Sequence, residues 1–479
     1  MHASAFLVAF LAWIGVLVAI GWRVSRRHEG DGDDFLLAGR GLPLLLVLGT
    51  TVATMVGTGS SIGAVGFGYA HGWAGALYGI GGAVGILLAA WWFAPVRALR
   101  FMTMSEELAY YVGAHPAVRN AVAVIILLAC IGWLGAHIIG GGMYLAWIAG
   151  IDTASAKLLV AAGFGLFSII GGYRAVVWTD TLQAMVLFAG FLLMAWLAVD
   201  RAGGWASVMA AHDAAALAPI GLLPAVSLAV VVAVGVLATP SYRQRIYSAD
   251  SVSAARRSFA WSGGLYLLFS LVPAVIGMSA FALDPTLDNR NFAFPFLAME
   301  VLPLAAGLVV VVAGLSATLS SASSDAIAGV TILLRDIHAM ATGRTPDRAR
   351  VVRLSRLGLV GVVGVALALA LLSDDIIGYI TAMIATLMSG LFACGLLGRF
   401  WPRFTWQGAL AALLGGAAAS LLVILTPGAM ATWGNPILPS LAGAFGLGLA
   451  GSLLSPPNPV SHESALARIN AERARMERD

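Results

Sequence analysis

The chain has 479 residues, 60% of them hydrophobic and only 10% charged, with a mean hydropathy of +0.92. Soluble proteins carry about 25% charged residues, so a string of soluble domains is excluded and most of the chain belongs in lipid. The net charge of +4 comes with no basic stripe beside stacking aromatics, which argues against a nucleic-acid partner. Cys130 and Cys394 both lie in apolar runs, which supports neither a disulfide framework nor a Cys/His metal site.

Runs of about 20 mostly apolar residues mark spanning helices. In chain order they predict thirteen, at 4–22, 42–68, 73–95, 120–147, 155–172, 175–199, 218–240, 258–283, 303–333, 357–373, 376–398, 406–426 and 435–455. The first is too long for the apolar core of a signal peptide, and its arginines follow it, so it reads as a retained span. Segment 103–113, with Glu106 and Glu107, reads as an amphipathic helix at the inner interface. Residues 456–479 open with three prolines and read as a short, charged, solvated cytoplasmic tail.

Of the 27 Lys and Arg residues, all but Lys157, Arg201 and Arg290 fall on one side of this arrangement. Basic residues collect on the cytoplasmic side, which puts the N-terminus outside and the C-terminus inside. Spans two to six (42–199) and seven to eleven (218–398) group as two five-helix repeats. Five is odd, so the second repeat runs inverted. Residues 4–40 then form an extra helix and loop, and 406–455 two further helices. The expected fold is an all-α integral membrane protein, in the inner membrane if the cell is bacterial.

Polar residues inside a bilayer are costly and mark function by default. The second span holds Gly57, Gly59 and Gly63 with Thr58, Ser60 and Ser61 among them. One reading is close helix packing; the other is a broken helix exposing backbone carbonyls at mid-membrane. The seventh span ends comparably at Gly235, Thr239, Pro240 and Ser241, so the first helix of each repeat is interrupted. The ninth span carries Ser320, Ser321, Ser323 and Ser324 beside Asp325, with Ala317, Ser320, Ser321 and Ser324 on one helical face. These serines either bond their own backbone or offer hard oxygens to a small cation. Asp180 either pairs with Arg174 near the interface or serves a cation, and His137, one turn from Trp133, is either a packing residue or part of a site.

No nucleotide-binding G-x-x-x-x-G-K-[ST] motif occurs. The G-x-S-x-G match at 59–63 lies in a span with no strand before it, outside the context a nucleophile needs. A transporter is expected, not an enzyme.

These stretches resemble the sodium:solute symporter family. Residues 33–43 (DDFLLAGRGLP) look like its motif between the first two helices, 53–72 like its broken helix, 171–183 (GGYRAVVWTDTLQ) like its signature, and 317–337 like the helix that ends in an acid, here Asp336. The resemblance implies a leucine-transporter-like fold of two inverted repeats that couples sodium entry to uptake of a small organic solute. It implies a principal sodium site from the carbonyls of Ala53 and Val56 with Ala317, Ser320 and Ser321, and a possible second sodium at Asp180, Ser320, Ser323 and Ser324. It also implies a solute lining of Thr58, Gly59, Ser61, Trp133, His137 and Tyr242. Met55 stands where the proline branch has an acid. Met55 and Thr239 replace two members of the choline branch's aromatic cage. An amino acid, a monocarboxylate or another small polar solute is therefore expected. The alternatives are a proton-coupled carrier of the same fold, with Asp180 or Asp325 titrating, and a transporter-like sensor.

Overall fold

Backbone polar groups in lipid must be satisfied within the segment, which favours helices, and the chain is helical almost throughout. The computed structural model describes residues 3–25, 37–214, 220–346 and 348–476; Asp33 to Leu36 of the motif at 33–43 lie outside the described residues. Among them, ten helices are long and apolar enough to cross a membrane, and one bent pair adds an eleventh span.

The chain opens with α1 (Ala3–Ser25), then α2 (Leu44–Met55), which stops where the sequence turns to glycine. Val56 leaves helical geometry (φ −94°, ψ 58°), and a wide turn over Gly59–Gly63 leads into α3 (Ala64–His71). Gly72, at φ +59°, ends α3, a conformation open to glycine. There follow α4 (Ala76–Trp92), the short α5 (Met104–Tyr110), α6 (Pro116–Ala149), α7 (Thr153–Arg201) and α8 (Trp205–Ala214). The second break joins α9 (Leu222–Ala238) to α10 (Pro240–Ser248) at a 44° bend. Pro240 holds Thr239 extended (φ −74°, ψ 127°) and starts the next helix at its first position. Then come α11 (Val252–Phe269), α12 (Leu271–Leu283), the serine-rich α13 (Leu304–Ile332), α14 (Arg348–Ala370), α15 (Ile376–Met383), α16 (Ser389–Phe400), α17 (Trp406–Leu425), α18 (Ile437–Leu454) and α19 (His462–Met476).

Two opposite faces can be traced through polar contacts. On one, Lys157 meets Asp374 at 2.7 Å, Arg290 meets Asp375 at 2.9 Å, Tyr69 donates to the Asp284 carbonyl and Trp73 packs on Trp205. On the other, Arg97 donates to the Ala249 carbonyl, Arg119 meets Glu472 at 2.8 Å and Arg473 meets Glu106 at 2.7 Å. The 49 residues of α7 would reach about 73 Å if straight. Lys157 near its start and Trp205 just past its end both lie on the first face. Tyr173, whose hydroxyl is 3.2 Å from Ser248 Oγ, lies towards the second. Within α7, Thr153–Gly163 and Tyr173–Arg201 are two separate apolar stretches.

Small residues let the breaks sit against their neighbours, as is common between membrane helices. A Cβ on Gly277 of α12 would fall 2.5 Å from the backbone nitrogen of Tyr69, so α3 and α12 touch backbone to backbone.

The C-terminal segment departs from the solvated tail expected from its charge. Ala465, Ile469 and Met476 of α19 are buried, and their spacing puts them on one face. His462 stacks on Tyr110 at 5.0 Å, Thr345 donates to the Met476 carbonyl, and Arg473 and Glu472 pair with Glu106 and Arg119. Most of its residues are charged or polar, which hides the docking from a composition reading. Glu472→Ala with Arg473→Ala should raise amide hydrogen exchange across 462–476 by about tenfold, the effect of one or two partly exposed ion pairs, without changing exchange in α13. Unchanged protection of 462–476 would show that apolar contacts alone hold it.

Candidate cation and solute sites

The break after α2 leaves carbonyls that a continuous helix would have used, and the serine face of α13 lies against them. Ser320 Oγ donates to the Ala53 carbonyl at 3.1 Å and to the Ala317 carbonyl at 3.4 Å. Ser321 Oγ donates to the Thr54 carbonyl at 3.2 Å. Val56, the first non-helical residue, follows directly. The result is a buried cluster of neutral carbonyl and hydroxyl oxygens, the donor type that suits a hard cation. A Cβ on Gly57 would sit 2.5 Å from Ser321 Oγ, so glycine is what permits this approach.

Deeper towards the basic face lies Asp180, fully buried. Its Oδ2 accepts from Thr50 (2.6 Å) and Ser324 (3.1 Å) and faces Arg245 Nη2 at 3.5 Å. The same Nη2 donates to Ser324 (2.8 Å), Thr50 (2.9 Å) and Thr54, and Nη1 donates to the Ser241 carbonyl. Asp180 Oδ1 has no hydrogen-bond partner among the described residues. One alternative from the sequence changes here. The guanidinium beside Asp180 belongs to Arg245, while Arg174 donates to the Ala38 carbonyl. Ser323 points its hydroxyl to the Ser320 carbonyl at 3.0 Å.

Between the two breaks is a small cavity, lined by residues of both. Of the six residues proposed from the sequence for a solute lining, Thr58, Gly59, Trp133, His137 and Tyr242 border it. Ser61 is not among its lining residues: its hydroxyl turns back to the Gly57 carbonyl at 2.6 Å, leaving Ser60 on the wall. Trp133 donates to Thr239 Oγ1 at 3.1 Å, so span four meets the second break. His137 joins Thr58 Oγ1 at 2.9 Å to Asp325 Oδ2 at 3.2 Å.

A family model described as "Sodium:solute symporter family" matches residues 35–416. The chain belongs to that family. It is a multi-pass membrane carrier that couples a small solute to sodium, and not an enzyme. Relatives include a sodium/glucose cotransporter of Vibrio parahaemolyticus, 25% identical over 89% of this chain and 86% of that protein. A monocarboxylic acid transporter of Corynebacterium glutamicum is 25% identical over 98% and 94%, and the sodium/proline symporter of Escherichia coli 25% over 87% of each. In fold, the chain is similar to a substrate-bound, outward-open sodium-coupled sialic acid symporter, with a TM-score of 0.79, 18% identity, and coverage of 94% of this chain and 98% of that one. The nucleobase-cation-symport-1 transporter Mhp1 follows at 0.61, with 14% identity over 92% and 98%.

Sequence reasoning missed Arg245 as a site residue because it scores as one more cytoplasmic-side charge. The signal was the run Ser241-Tyr242-Arg243-Gln244-Arg245 directly after the second break, since charged residues so close to an interrupted span point inward. Tyr78 and Tyr266 of the cavity wall were also missed; single tyrosines in apolar spans carry no pattern. At the break itself, Gly57→Ala should push Ser321 off the Thr54 carbonyl. A sodium titration of thermal stability should then need about tenfold more sodium, the order of a disturbed supporting contact in an ion site. A titration that overlays wild type would separate Gly57 from the ion.

Proposed function

We propose that the protein takes up a small polar organic solute with sodium, moving both by alternating access between inverted repeats at 42–199 and 218–398. The proposal includes thirteen crossings with the N-terminus outside and the C-terminus inside, in the cell membrane and, in a bacterium, the inner one. The basic face described above supports that direction. The observation that carries the reading is the docking of Ser320 and Ser321 on the carbonyls of Ala53 and Thr54 at the break. The principal sodium would be held by the carbonyls of Ala53, Val56 and Ala317 with the hydroxyls of Ser320 and Ser321.

The solute would lie in the cavity beside that site. The relatives' names cover a sugar, a monocarboxylic acid and proline; an amino acid, a monocarboxylate or a similar polar solute fits the donors here. Because Ser321 belongs to both the oxygen cluster and the cavity wall, ion and solute would order the same segment, and each would raise the other's affinity equally.

Ser320→Ala with Ser321→Ala should abolish sodium-dependent stabilisation and sodium-driven uptake in proteoliposomes while the protein still inserts. Retained wild-type sodium dependence would displace the site. Uptake driven by a proton gradient without sodium would instead favour a proton-coupled carrier.

The second set, Asp180 with Ser320, Ser323 and Ser324, is proposed as a weaker sodium site. The unpartnered Asp180 Oδ1 supports a cation there. Arg245 already balances the carboxylate's charge, so a sodium would gain less than beside a lone carboxylate. Asp180→Asn alone leaves a buried guanidinium without its counter-charge and should destabilise the protein by about 3–5 kcal/mol. Asp180→Asn with Arg245→Gln should recover most of that loss. In the double variant, the Hill coefficient of uptake against sodium should fall towards one. A sodium curve matching wild type would remove the second ion.

A further inference from the structure

The cavity between the two breaks carries an uneven charge. Among its lining residues the only carboxylate is Asp325, and no lysine or arginine is present. Asp325 is 3% exposed. Its Oδ2 is taken by His137 Nε2 at 3.2 Å, but Oδ1 has no hydrogen-bond partner among the described residues. The hydroxyl of Ser241, on the same wall, is likewise without one. Buried polar atoms in native proteins are almost always satisfied, and those left over at a cavity wall mark where a ligand completes the set.

No lysine or arginine shares the cavity wall with this carboxylate. His137 bridges Thr58 Oγ1 and Asp325 Oδ2 through its two ring nitrogens and leaves Oδ1 free. The two terminal nitrogens of Arg245 are engaged by Asp180, Ser324, Thr50, Thr54 and the Ser241 carbonyl. The remaining walls include Trp133, Tyr78, Tyr242 and Tyr266, whose ring faces attract cations. A negative oxygen with a free lone pair, set among aromatic rings, recognises a positively charged nitrogen bearing N–H donors.

We infer that Asp325 receives the ammonium group of the solute, so that the substrate is an amine-bearing compound, either an amino acid or a simple organic amine, rather than a sugar or a monocarboxylate. The inference rests on the cavity being the solute site. Ammonium N–H would donate to Asp325 Oδ1, with Ser241 Oγ as a second acceptor. An uncharged sugar would leave the carboxylate unbalanced, and a monocarboxylate would set like charge against it.

The test is thermal stability of the purified full chain in sodium, with a panel of the protein amino acids, ethanolamine and putrescine, their amine-free counterparts propionate and ethylene glycol, pyruvate and D-glucose. Stabilisation by at least one amine-bearing member and by no amine-free one is expected. Amino acids acting without the simple amines would identify a zwitterion, and the reverse a simple amine. Asp325→Asn keeps the size and an acceptor for His137, and should raise the Kd of the stabilising amine by about tenfold or more. It should leave stabilisation by sodium alone unchanged. Stabilisation only by an amine-free member, or by no amine-bearing one, overturns the inference, as does an Asp325→Asn affinity equal to wild type. Loss of sodium-only stabilisation in Asp325→Asn also overturns it, by placing the carboxylate with the ion. Val236→Phe adds bulk to the cavity wall and separates the two readings. If it abolishes solute binding while Asp325→Asn does not, the cavity stands and the ammonium assignment fails. If neither changes binding, the cavity itself is not the solute site.

Discussion

A guanidinium with no exposure to solvent must meet acceptors on several sides, and the way Arg245 does so ties the fold together. It is 0% exposed, as is Asp180. Its acceptors come from α2 (Thr50 and Thr54), α7 (Asp180), α13 (Ser324) and its own α10 (the Ser241 carbonyl). Two of these four elements, α2 and α10, are the arms of the broken helices. A salt bridge in low dielectric gains little over an apolar replacement of the same shape, but removing one partner is expensive. Such a knot therefore specifies arrangement more than it adds stability. It fixes how the first break, the second break and the serine face stand relative to one another.

The breaks are the counterpart of that knot. A helix in lipid satisfies its own backbone; interrupting it frees carbonyls that only protein or an ion can serve. Ser320 and Ser321 serve those at Ala53 and Thr54. At the second break Thr239 accepts from Trp133 while its own hydroxyl donates to the Gly235 carbonyl at 2.6 Å. The cavity lies where the two interruptions face each other, so its polar lining follows from the same glycines and proline that stop the helices.

Much of this was legible in the sequence. Apolar run length marked an all-helical, multi-span membrane protein, Gly57 and Pro240 the two breaks, and the i, i+3, i+4 spacing of serines the face that meets the first break. What was not legible is pairing across the bundle. Arg245 and Asp180 are 65 residues apart and His137 and Asp325 are 188 apart; no local period reports such contacts. Ser61 shows the same limit at short range, since a hydroxyl in a distorted turn can face the wall or its own backbone and composition does not choose. The tail misleads because three buried residues in fifteen are enough to dock a helix whose average is polar.

Transport requires that this arrangement come apart on one side at a time. Beneath the cavity, towards the basic face, Gln244 reaches Thr331 at 3.5 Å, and Glu107 gathers Tyr247 at 2.5 Å, Tyr111 at 3.2 Å and Arg243 at 3.4 Å. Asp336, at the end of the α13 region, accepts from Ser105 at 2.6 Å and pairs with Arg119, which also holds Glu472 of α19. This layer is polar and separable: its hydrogen bonds can pass to water when the face opens, at small net change for each. The oxygen cluster at the first break behaves differently. Its carbonyls are already freed from the helix, and a sodium ion would add attraction between α2 and α13 only while both arms are close. Losing that ion would remove attraction at one of the contacts where broken helix and serine face meet. Release of sodium from the proposed site would thereby be a local change with a preferred direction, loosening α2 from α13 above a polar layer whose bonds can pass to water.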